Sequence, residues 1–146
     1  MKTFACKLVG TLVITCWGEG PATDAEFQVS LDLVKQVERA HLRFLAITMG
    51  SGPTMLQRGR INALFTGLAV PVAVVHEIDS LIVQNLITAT SWFSEGVKAF
   101  PASELRDALR YLGITAVEFP DVRREIELLL EIVRPPPPGT PKRPQR

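Results

Sequence analysis

From Phe4 to Trp17 the chain is crowded with apolar residues in two short runs, 4–9 and 11–17, rich in β-branched and aromatic side chains and meeting at Gly10-Thr11. Two strands joined by a tight turn have this signature, and a hairpin is the simplest outcome. Alternation along the runs puts Phe4, Cys6, Leu8, Leu12, Ile14 and Cys16 on one face, which predicts that the two cysteines lie near each other on the core side. After the loop from Gly18 to Ala22, the spacing of Phe27, Leu31, Val34 and Val37 predicts a helix capped by Thr23 or Asp24, with Asp24 and Glu26 at its positive end. Leu42 to Thr48 is too short and too apolar for a surface helix and fits a strand buried in the sheet.

Gly50-Ser51-Gly52-Pro53-Thr54 interrupts the pattern, and helical spacing resumes from Met55 to Thr66 through Ile61, Leu64 and Phe65, with Arg58 and Arg60 toward solvent. Val70 to Val75 is the clearest strand of the chain, and Pro71 is tolerable only near its start. Asp79 or Ser80 caps a third helix that carries Ile82, Val83, Leu86 and Ile87 and ends near Trp92-Phe93 and Gly96. Val97 to Phe100 is a short edge strand. A fourth helix opens at Pro101 and runs through Leu105, Leu109 and Leu112 to Gly113, and a last amphipathic helix spans Phe119 to Val133. The order β-β-α-β-α-β-α predicts an α/β domain: a hairpin, then alternating helices and strands in a mixed sheet of about five strands whose later members are parallel, with an extra C-terminal helix.

With 146 residues, 47% hydrophobic and 21% charged, the chain fits one globular domain, assigned to residues 1–133, followed by a proline-rich basic tail at 134–146 that is expected to be disordered and extended. The net charge of +1 is misleading, because Arg134, Lys142, Arg143 and Arg146 leave residues 1–133 at −3. A body of that sign is a poor platform for nucleic acid. Cys6 and Cys16 suit neither a disulfide scaffold nor zinc spacing, so a reducing cytoplasm is the expected location and two small buried side chains the expected role. The start of the chain imitates a signal peptide, but Lys7 interrupts its apolar run and no small-residue cleavage pattern follows. No stretch reaches the length of a membrane span.

The element order, together with Ala46-Ile47-Thr48 leading into Gly52-Pro53, Pro71-Val72-Ala73-Val74-Val75, Val97-Lys98-Ala99-Phe100 and Tyr111-Leu112-Gly113, resembles small bacterial STAS-like proteins, the fold of anti-sigma-factor antagonists. The resemblance implies a non-enzymatic regulatory module that binds another protein. In antagonists of this type a serine or threonine at the start of the helix after the central strand is phosphorylated by a partner kinase. Here the matching loop offers Ser51 and Thr54, in Gly-Ser-Gly-Pro-Thr rather than the usual Asp-Ser-Ser-Gly.

The residues themselves point to the same loop. A glycine-rich loop at a helix start presents backbone N–H groups that suit a phosphate or a phosphoserine, with Arg58 and Arg60 a turn further on; its plain alternative is a strand-to-helix connection capped by Ser51 or Thr54. It is no P-loop, because the Gly-Lys-Ser/Thr ending is missing. His76, Glu77 and Asp79 stand where a parallel strand ends, but His41 is the only other histidine and has no matching spacing, so a metal site is not expected. There is no nucleophile elbow near Ser51, Ser91, Cys6 or Cys16, and Glu125, Glu127 and Glu131 fit the solvated side of a helix. Trp92-Phe93 suits either a core seal or an interface anchor, and Pro135–Pro138 either a docking segment or a plain terminus. The expectation is therefore protein binding through Ser51, Thr54, Arg58 and Arg60, with no catalytic residue, no metal and no cofactor. Self-association is left open. The alternative is a small-molecule or lipid carrier with a cavity between sheet and helices.

Overall fold

The computed structural model describes residues 2–76 and 96–134. Strands β1 (Phe4–Val9) and β2 (Leu12–Trp17) pair antiparallel with Val9 opposite Leu12. The two-residue turn between them has φ +60° at Gly10 and no positive φ at Thr11. Glycine at the first central position is what a type II′ hairpin turn requires.

This register corrects the prediction for the cysteines. Each residue of β1 faces a β2 residue of opposite parity, so Cys6 lies opposite Thr15 and Ala5 opposite Cys16. Directly paired residues share a side of the sheet. Cys6 and Cys16 are therefore on opposite faces, and neither is in a disulfide. Carrying the alternation straight through a two-residue turn produced the error.

Helix α1 (Asp24–Gln36) begins at Thr23, whose hydroxyl accepts from Glu26 N while the Glu26 carboxylate accepts from Thr23 N, a reciprocal capping box. It leads through a short 3₁₀ turn at Arg39–His41 into β3 (Arg43–Thr48), and α2 (Met55–Phe65) then leads to β4 (Val72–His76). Pro71 stands just outside β4, where its missing N–H breaks no ladder bond. The helix expected at 80–93, Trp92-Phe93, and the tail from Pro135 lie outside the described residues. β5 (Val97–Pro101) is followed by a 3₁₀ turn at Ala102–Glu104, helix α3 (Leu105–Tyr111) and helix α4 (Phe119–Val133). The expected fourth helix thus starts later than Pro101, because Pro101 itself closes β5.

The sheet order is β1-β2-β3-β4-β5, with β2 to β5 all parallel. Helices α1 and α2 cover one face through Phe27, Leu31, Val34, Ile61 and Phe65, packed on Val13, Trp17, Phe44, Val72 and Val74. Phe4, Trp17 and Phe27 form an aromatic trio there, with ring centroids 4.6–6.3 Å apart. Helices α3 and α4 cover the other face through Leu109, Val122, Ile126, Leu129 and Val133, packed on Leu12, Ile14, Cys16, Leu45, Ile47 and Val75. Cover on both faces buries β2, β3 and β4 along nearly their whole length, whereas the edge strands β1 and β5 stay partly exposed. No helix among the described residues is long and apolar enough to cross a membrane.

Candidate functional site

The chain leaves β3 at Thr48, in the middle of the C-terminal edge of the parallel strands, where open α/β sheets place their binding loops. Thr48 Oγ1 donates to Ser51 O and accepts from Gly50 N at 3.1 Å, folding the loop back on itself. Met49 N donates to Trp17 O at 2.8 Å and Ser51 N to Gly18 O at 3.2 Å, so the loop continues the β2–β3 ladder beyond the strands. Ser51 Oγ lies 2.7 Å from Gly18 O and 2.8 Å from Gly20 O and shares its single proton between these two carbonyls. Pro53 is buried.

At Thr54 a second capping box opens α2: Thr54 Oγ1 accepts from Gln57 N at 3.2 Å and Gln57 Oε1 accepts from Thr54 N at 3.0 Å. Gln57 also donates through Nε2 to Ala22 O at 3.0 Å and Asp24 Oδ1 at 3.2 Å. One fully buried glutamine thus ties the start of α2 to the start of α1. Sequence reading passed over Gln57, although Thr54 followed three residues later by Gln is the sequence form of this box.

These bonds change the expected role of the loop. A phosphate cradle needs unpaired N–H groups, yet those of Gly50, Ser51, Thr54 and Gln57 already have partners. Phosphate on Ser51 would set its negative charge against two carbonyl oxygens. Thr54, by contrast, is exposed at the positive end of the helix. The two arginines do not act as a pair, since a separation of two places them on different sides of the helix. Arg60 is exposed as expected, but Arg58 is only partly so, its Nε buried without a hydrogen-bond partner, because it borders the buried side that carries Ile61 and Phe65. The apolar residues that do face outward were not singled out from the sequence: Met55 is 80% exposed and Leu56 57%, side by side on the first turn of α2.

His76 ends β4 between Thr48 and Pro101 of the neighbouring strands. Its side chain is 0% exposed, and neither ring nitrogen has a hydrogen-bond partner among the described residues. Burial disfavours the charged ring and holds its pKa below the ordinary 6.5. Glu77 and Asp79, the groups it was considered with, lie outside the described residues. No group of three or more His, Cys, Asp or Glu among the described residues could hold a metal ion. His41 is exposed, 3.7 Å from Glu38.

On α4, Glu127 pairs with Arg123 at 3.3 Å on the solvent side, whereas Glu125 reaches Lys7 of β1 at 2.6 Å, an ion pair between the first strand and the last helix. Clefts lined by described residues include one of about 230 Å³ where α3 meets α4, bordered by Arg106, Arg110 and Phe119. The Arg106 guanidinium stacks 4.6 Å from the centre of the Phe119 ring. A second cleft of about 230 Å³ runs along β1 between α1 and α4. No protein-family model, no curated protein and no solved structure matches this chain.

Proposed function

We propose that this chain is a non-enzymatic regulatory module that binds another protein through the first turn of α2, with Met55 and Leu56 as the apolar contact and Arg60 beside them. The exposure of Met55 and Leu56 carries this reading: two large apolar side chains stand in water on a helix start that Thr54, Gln57 and the Ser51 loop hold rigidly. Apolar side chains on a rigid support form a contact with little ordering entropy to overcome. The resemblance to STAS-like antagonists supports the same surface. Thr54 is the switch in this reading, since a phosphate there meets the helix N-terminus, while Ser51 serves as a tie between loops.

The test is capture from native lysate on the immobilised full chain, beside Met55→Glu/Leu56→Glu and the distant surface variant Arg110→Glu. A protein retained by the wild type and by Arg110→Glu but lost by the double variant supports the reading. Equal retention by all three removes α2 from it, and a native chain that never carries a phosphate-scale mass shift on Thr54 removes the switch.

A further inference from the structure

β1 is an edge of the sheet, and its backbone has a defined open side. Gly18 N donates to Thr3 O at 2.8 Å, so the odd-numbered residues of β1 turn their N–H and C=O groups toward β2. Phe4, Cys6 and Leu8 turn theirs the other way, where the sheet has no further strand among the described residues. An apolar wing flanks this edge on each face. On the α1 side Val29 is about half exposed, and on the α4 side so are Leu128 and Ile132, one turn apart. Val29 and Ile132 line the same cleft as Phe4, Ala5 and Cys6. Two of the six large apolar side chains exposed among the described residues therefore border one strand, and a third, Leu128, stands one helical turn from Ile132.

Edge strands are commonly protected by a charge, and Lys7 is the natural candidate. Here Lys7 is held by Glu125 at 2.6 Å on the α4 side, so the edge meets a partner with that charge already balanced.

We propose that β1 pairs with β1 of a second copy of this chain, antiparallel about a two-fold axis at Cys6, to make one continuous ten-stranded sheet. The wings select this occupant. They lie on opposite faces of the sheet, and a single extended peptide, one strand thick, covers the edge but cannot cover helices on both sides of it. A second copy brings α1 against α1 and α4 against α4, so that Val29 and Leu128 each meet an apolar surface of their own kind, as an isologous interface demands. In this register Phe4 pairs with the partner's Leu8, and each Lys7 faces the small Ala5 rather than a second lysine. The two Cys6 residues become a hydrogen-bonded pair with Cα atoms about 5.5 Å apart, inside the range a disulfide spans.

The experiment uses the full chain from about 5 μM to about 0.5 mM, with sedimentation velocity for mass and NMR amide exchange for the interface. The expected results are a dimer at high concentration and exchange slowed about tenfold or more at Phe4, Cys6 and Leu8. Oxidation by added diamide at about pH 9, chosen because burial raises the Cys6 thiol to about 11, should join the two Cys6 sulfurs, with both thiol hydrogens and the two electrons passing to the diamide as it becomes the hydrazine, and Cys6→Ser should abolish the link; Cys16 is fully buried and on the other face. Val29→Glu/Leu128→Glu changes two exposed positions, so it should fold as the wild type does by circular dichroism and weaken association about tenfold or more. A chain monomeric at the highest concentration overturns the proposal. So does a dimer with no Cys6–Cys6 link and with unprotected Phe4, Cys6 and Leu8 amides, which would place the contact elsewhere.

Discussion

His76 offers the sharpest test of the packing, because among the described residues its polar ring is buried without partners, in a strand otherwise made of Val and Ala. A neutral imidazole has one N–H donor and one acceptor nitrogen. Leaving such a group buried and unpaired costs about 1–3 kcal/mol, and leucine is close to histidine in volume. His76→Leu is therefore expected to raise the unfolding free energy by about 1–3 kcal/mol at pH 8. The pH dependence provides a second, independent reading. Burial lowers the pKa of His76 in the folded protein, so the unfolded chain binds its proton first as the pH falls below about 6.5. The folded state then loses stability relative to the unfolded one by at most about 1.4 kcal/mol per pH unit, until the folded ring itself protonates. In the leucine variant this slope between about pH 6.5 and 5.5 should vanish. His76→Gln should lose the slope as well while keeping a buried polar group. Urea unfolding of the three proteins at pH 8, 7, 6 and 5.5 measures both quantities. If His76→Leu is destabilising by more than about 1 kcal/mol at pH 8, or if it keeps the wild-type slope, the argument from an unpartnered ring is wrong.

Two glycines with positive φ should separate backbone strain from steric collision. Gly10 at φ +60° has open space where a Cβ would go, whereas at Gly96, φ +88°, a Cβ would sit 2.8 Å from Val70 O. Gly10→Ala should cost about 1 kcal/mol and Gly96→Ala clearly more, as a lower urea midpoint shows; equal losses would refute the collision. For the thiols, an aromatic disulfide reagent at neutral pH should modify Cys6 slowly, because burial raises its pKa to about 11, and Cys16 only on unfolding. No disulfide should form within one chain, and a mass spectrum showing a Cys6–Cys16 link in folded monomer would contradict their placement on opposite faces.

Much of the architecture was legible in the residues. The hairpin, the buried strands at 43–48 and 72–76, the helices from Asp24, Met55 and Phe119, and the mixed five-stranded sheet follow from apolar period, glycines and capping residues. What failed did so where a local pattern had to be carried across a junction. Whether a two-residue turn keeps or flips the facing parity is a property of the register, so the cysteines were assigned to one face. The Ser51 loop looked like an open row of N–H groups because the side chains of Thr48, Thr54 and Gln57 that fill Gly50 N, Gln57 N and Thr54 N do so only in the folded loop, and because Gly18 O, which accepts from Ser51 N, is some thirty residues earlier and meets it only when β2 and β3 align. Helical spacing marked Ile61 and Phe65 as buried but did not distinguish Arg58, on their border, from Arg60. That α4 packs on its own body could not be decided from its amphipathicity alone, and the match of its apolar side to the Leu12, Ile14 and Cys16 face of β2 settles it.

The ion pair between Lys7 and Glu125, and the approach of Val133 O to within 3.3 Å of where a Cβ on Gly18 would stand, bring the first hairpin against the last helix across more than a hundred residues. A chain synthesised from its N-terminus therefore makes the hairpin first and the cover for its second face last. While α4 is still within the ribosome, Leu12, Ile14 and Cys16 have no roof, and the domain cannot close cooperatively until Val133 has emerged. Such non-local closure slows folding and leaves an apolar sheet face open to chaperones during translation. Completion of α4, rather than formation of any one strand, becomes the committing event of its folding.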